Sequence, residues 1–82
     1  MDTERTNIRR EVGSRIRYAR KSRGMSMDEL AQAIYKTRSA ISKYENGQIS
    51  VDIATLYDIA NALKVSIYDL LHRNTPDIGQ EY

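Results

Sequence analysis

Apolar residues return along the chain every three or four positions. Ile8, Val12, Ile16 and Ala19 form one stripe, Leu30, Ala31 and Ile34 a second, and Ile53, Leu56, Ala60 and Leu63 a third. That spacing places each set on one side of a helix, and no segment alternates with period two for long enough to make a strand. The pattern predicts an all-α fold.

The helix starts carry their own signals. Ser26 with Glu29 three residues on is a capping box, and Met25 and Leu30 flank it as a hydrophobic staple. Ser66 and Asp69, between Val65 and Leu70, repeat the layout. Thr37 and Asp52 are N-cap residues for helices beginning at Arg38 and Ile53, with Val51 stapling to Leu56. Gly24 and Gly47 stand where a left-handed residue stops a helix. Five helices follow, over residues 8–23, 27–34, 38–46, 53–63 and 67–72. Residues 1–7 are expected to be a polar arm, 8–72 the folded domain and 73–82 a flexible tail.

Eighty-two residues without a cysteine leave helix packing as the source of stability, with neither disulfides nor a thiolate metal site to supplement it. The net charge of +2 is unevenly spread. Residues 1–24 hold eight Lys/Arg against three Asp/Glu, residues 25–51 three against three, and residues 52–82 two against five. A basic N-terminal third suits a polyanion such as DNA, although a solvated helix face would carry the same charge. No apolar run approaches the ~20 residues of a membrane span, and the N-terminus lacks a signal-peptide core, so a cytoplasmic location is expected.

The segment 37–46 has two unlike faces. At about 100° per residue, Arg38, Ser39, Ser42, Lys43 and Asn46 share one side, and Thr37, Ala40, Ile41, Tyr44 and Glu45 the other. The first side is wholly polar, with short hydroxyls between long cations. Serine is a poor helix former, so propensity alone does not place it there. Such a set suits a helix in a major groove, where Arg or Lys reaches guanine O6 and N7 and Ser bonds to several base edges. The helix capped at Ser26 would turn its free N–H groups to a phosphate.

The ordered blocks VGSRIRYARKSRGMS, MDELAQAI, TRSAISKYENG and DIATLYDIANALKVSIYDLL resemble the Xre/Cro/phage-repressor (lambda-repressor-like) helix-turn-helix family over about residues 12–71. The resemblance implies a compact five-helix bundle whose second and third helices form the helix-turn-helix, and a DNA-binding regulator acting as a homodimer through its C-terminal helices. By position it implies base reading by Arg38, Ser39, Ser42 and Lys43, and backbone contacts from Ser26, Met27, Thr37, Asn46 and Gln48. Thr37 stands where the family touches a thymine methyl or a phosphate. Arg20 and Glu45 match a partly buried ion pair between the first and third helices.

The chain departs from the family pattern at three places. Met27 replaces a glutamine that contacts phosphate and base, leaving the backbone N–H; Val51 replaces a proline; Tyr35 replaces the glycine of the turn. Tyr35 either takes the left-handed conformation and packs its ring, or the turn follows another path; its hydroxyl reaching a phosphate is the functional alternative. Tyr57 and Tyr68 are expected in the core or at a dimer interface, and His72 near a helix C-terminus. Arg15 and Arg23 are candidate additional phosphate contacts. No nucleophile–base pair, paired carboxylates, phosphate loop or metal-ligand spacing is present, so neither an enzyme nor a cofactor is expected.

These residues point to a sequence-specific transcriptional regulator, a repressor, inserting helix 38–46 into the major groove of a pseudo-palindromic operator. Two other readings stay open. One is a DNA-binding antitoxin or mobile-element control protein, partnered by a toxin or another regulator. The other is a helical protein-interaction module that has lost DNA.

Overall fold

The computed structural model describes residues 2–71; His72 and the expected tail 73–82 lie outside them. Five helices occupy this span: α1 (Asp2–Ser22), α2 (Met27–Ala33), α3 (Arg38–Glu45), α4 (Ile53–Leu63) and α5 (Ile67–Leu71). No strand occurs among the described residues, and no helix there is long and apolar enough to cross a membrane.

Each helix puts at least one side chain out of water entirely. Ile16 of α1, Leu30 of α2, Ile41 of α3, Ile59 and Leu63 of α4 and Leu70 of α5 meet in one core. Burying each such side chain contributes about 1.5–3 kcal/mol against chain entropy. Helix α1 packs against α3, α4 and α5, while α2 sits between α3 and α4. The α1–α3 contact is close because of Gly13: a Cβ there would lie 2.3 Å from the Tyr44 carbonyl oxygen and 2.6 Å from that of Glu45.

The helix starts follow the capping residues. Ser26 and Glu29 exchange both bonds of the box, at 3.0 and 2.8 Å. Thr37 Oγ1 accepts from the Ala40 N–H at 3.1 Å, and Asp52 accepts from the Thr55 N–H at 3.1 Å and its hydroxyl at 2.6 Å. Those bonds to Thr55 hold the Asp52 carboxyl below its ordinary pKa.

The helix ends share one device. Backbone N–H groups of Met25, Lys36, Gln48 and Val65 reach back to the carbonyls of Arg20, Ala31, Lys43 and Ala60 at 2.9–3.0 Å. Each such closure needs a left-handed residue just before the donor, because only that turn brings the N–H over the last carbonyls. Gly24 and Gly47 fill two of these positions, at φ 67° and 73°. Tyr35 and Lys64 fill the others, at φ 60° and 59°. So the turn keeps the left-handed geometry without glycine. The expected packing of the Tyr35 ring is not found: the residue is 94% exposed.

Three further expectations need correcting. Residues 2–7 are not an arm but the first turns of α1. The segment has no Pro or Gly, Glu4 favours the positive end of the helix dipole, and Arg9 donates to Thr6 Oγ1 at 3.3 Å and to the Gly47 carbonyl at 3.1 Å. Ile8 and Ile53, placed in apolar stripes, are exposed. Tyr57 and Tyr68 are exposed rather than core, since their helices turn Leu56, Ile59 and Leu70 inward instead. Arg15 and Arg23 also reach the carbonyls of Asp69 and Lys64, at 3.5 and 2.8 Å, between α1 and the α4–α5 corner, and each guanidinium keeps further N–H donors for a phosphate.

Candidate nucleic-acid interface

Helix α3 buries Ile41, Tyr44 and Glu45 and turns Arg38, Ser39 and Lys43 to solvent, with Ser42 half-buried between them. The exposed face is not an isolated strip. Arg38, Ser39, Ser42 and Lys43 line one shallow depression together with Met27 at the start of α2 and Gln48 after α3. Six of the candidate contact residues are thus gathered on one surface. Asn46, whose amide Nδ2 donates to Ser42 Oγ at 3.4 Å, and the two caps Ser26 and Thr37 flank it. The cap oxygens are engaged by backbone N–H groups, which leaves each hydroxyl proton available to an acceptor.

Charge at this face is mainly positive and lightly held. Arg38 Nε lies 3.8 Å from Asp28 Oδ1, with both side chains about two-thirds exposed. Such a pair contributes between about 0 and 1 kcal/mol, so Arg38 leaves it readily for a better anion. A larger groove, between α1 residues such as Arg15 and Tyr18 and the α4–α5 residues Val65 and Asp69, shares no lining residue with the α3 face.

The position of α3 is set from behind. Arg20 and Glu45 are each only 5% exposed. Arg20 donates from Nε to Glu45 Oε2 at 2.6 Å and from Nη2 to Oε1 at 3.0 Å. Its third donor, Nη1, reaches the Met25 carbonyl at 2.8 Å. The hydrogen bond to Glu45 raises the guanidinium pKa further above its ordinary value, so the fork stays charged. This pair explains the single charge on the packing face of α3.

Comparison with known proteins accounts for the arrangement. The model of the HTH_3 helix-turn-helix family matches residues 16–70, most of the described chain. The chain belongs to that family. Among HTH_3 relatives, an uncharacterized transcriptional regulator in the ATPase CF(0) region of Rhodospirillum rubrum is 39% identical over 56 residues, 68% of this chain and 52% of its own. The HTH-type regulator y4aM of Sinorhizobium fredii is 36% identical over 72 residues, 84% of this chain and 50% of its own. The SPbeta prophage-derived HTH-type regulator YonR of Bacillus subtilis is 37% identical over 59 residues, 72% of this chain and 55% of its own. The chain thus spans about half the length of the curated relatives it matches.

Solved structures superpose well. The clp gene regulator ClgR of Corynebacterium glutamicum matches with a TM-score of 0.76 at 30% identity, over 78% of this chain and 83% of that one. The restriction-modification controller protein C.AhdI of Aeromonas hydrophila matches with a TM-score of 0.76 at 28% identity, over 79% and 94%. Sequence reasoning missed Gly13, the close-contact residue behind α3, because one glycine inside a helical pattern carries no signal for what lies against it.

Proposed function

We propose that the chain is a sequence-specific DNA-binding transcriptional regulator, a repressor, that lays α3 in the major groove. The observation that carries the reading is the depression joining Arg38, Ser39, Ser42 and Lys43 to Met27 and Gln48. It presents long cations and short hydroxyls together, the mixture that base edges and phosphates require. Ser26, Met27, Thr37, Asn46 and Gln48 border that face and are assigned to the DNA backbone. Occupying an operator would exclude polymerase, which is the basis for repression.

A homodimer supports pseudo-palindromic recognition, with half-site centres about 10 bp apart. Ile53 and Tyr57 of α4 and Tyr68 and Leu71 of α5 are large apolar residues left exposed, a face suited to a second copy. The likeness to a restriction-modification controller and a prophage-derived regulator favours a second reading, a mobile-element control protein or an antitoxin with a protein partner. That reading keeps DNA binding and changes only the genes regulated.

Selection from random-sequence duplexes at near-physiological salt tests the proposal. Enrichment of an inverted repeat is expected, with affinity falling steeply as salt rises. Arg38→Ala should then cost about 1–3 kcal/mol on the selected site and relax preference at one base pair. Equal loss on every sequence would make Arg38 a phosphate contact instead. No enrichment would leave a helical protein-interaction module.

A further inference from the structure

We infer that Met27 is a base-reading residue, recognising the 5-methyl group of a thymine within the half-site that α3 reads. The inference rests on the DNA-binding reading above and extends it to a side chain there assigned only a backbone role. Of the six residues lining the depression, Met27 is the one with no polar group. It is only partly buried, with part of its side chain packed against the hydrophobic core and the rest left at the surface. A residue chosen for solubility at a helix start would be polar.

The chemistry of the groove selects the ligand. Along the major-groove edge of B-DNA the distinctive apolar feature is the thymine C5-methyl; the other readable groups are donors and acceptors. A thioether side chain is polarizable and conforms to a small apolar partner. Here its packed portion also reduces the freedom it would lose on contact. Met27 and Arg38 line the same depression.

Thr37 carries a methyl group at the start of α3, which makes it the competing explanation for any thymine preference. Its hydroxyl is engaged as a cap, so Thr37→Ser removes the methyl and keeps the cap. The test takes the duplex recovered by selection and replaces each thymine of a half-site singly by uracil, which deletes only the methyl group. Affinity is measured for the unsubstituted protein, Met27→Ala and Thr37→Ser on every duplex.

One thymine should weaken binding about fourfold when replaced, the effect of removing one buried methyl group from water-free contact. That ratio should fall to about one in Met27→Ala and persist in Thr37→Ser. Because each ratio is taken within one protein, partial unfolding of Met27→Ala cancels. A duplex with no uracil-sensitive thymine, or a sensitivity that survives Met27→Ala, overturns the inference while leaving DNA recognition intact. Failure to recover any preferred duplex overturns DNA recognition itself, and the role of Met27 with it.

Discussion

Replacing Glu45 by glutamine removes one charge and almost no volume from the back of α3. The carboxylate accepts two hydrogen bonds from Arg20, at 2.6 and 3.0 Å, and both residues are 5% exposed. In Glu45→Gln the guanidinium keeps its bond to the Met25 carbonyl but loses its counter-charge where water cannot replace it. Breaking a buried pair by removing one partner costs about 3–5 kcal/mol, and the retained amide oxygen puts this substitution near 3. A domain of this size has about 4–10 kcal/mol in total, so much of its stability is at stake.

Urea unfolding followed by helical circular dichroism measures the loss, and a thermal scan should show a midpoint lower by about 12–24 °C. Arg20→Lys should not be tolerated as a conservative change, because an ammonium cannot serve both carboxylate oxygens and the Met25 carbonyl in this fixed fork. Arg20→Met with Glu45→Leu removes both charges and should recover to within about 1 kcal/mol of the parent. A loss below about 1 kcal/mol for Glu45→Gln would refute the reasoning: the pair would then be solvated like one on the surface.

Three further outcomes are expected. Tyr35→Asn should stabilise by about 0.5–1 kcal/mol in the same urea assay, since the left-handed backbone is kept, asparagine tolerates it better and the exposed ring has little packing to lose. Gly13→Ala should destabilise by about 1–3 kcal/mol or abolish folding, because the added Cβ meets backbone oxygens of Tyr44 and Glu45 that cannot swing aside. The Asp52 cap should make stability pH-dependent: a folded pKa lowered below 3.8 gives a contribution fully present above that value and lost as pH falls through the folded pKa. Asp52→Asn should flatten the acid limb of a stability–pH curve measured below about pH 4.

What was legible in the chain was local. The caps at Ser26, Thr37 and Asp52 bracket three helices because each cap bond is made within three residues, a distance sequence patterns can see. The two faces of α3 followed from helical spacing alone. Apart from the Arg20–Glu45 pair, which the family resemblance implied, long-range or signal-free features were not legible. Residues 2–7 continue α1 partly through Arg9 reaching Gly47, a contact 38 residues away, and their polar sequence has no buried stripe to announce a helix. Of the two places expected for Tyr57, core or dimer interface, the core is ruled out, because Thr55, Leu56 and Ile59 take the inward positions of α4. Lys64 ends α4 in a left-handed turn without the glycine that would have marked it.

The last turn of α3 is clamped three ways at once: by the glycine of α1 against its carbonyls, by Tyr44 in the core and by the ion pair of Glu45. The residues that face outward, Arg38, Ser39 and Lys43, take no part in any of these. The residues proposed to read DNA are therefore separate from those that hold the fold, within eight residues of one helix. On the proposed reading, a lineage could exchange its outward residues for others, and so move to a new operator, without re-solving its fold. The same separation makes the domain a scaffold on which recognition can be rewritten by substitution at the surface alone.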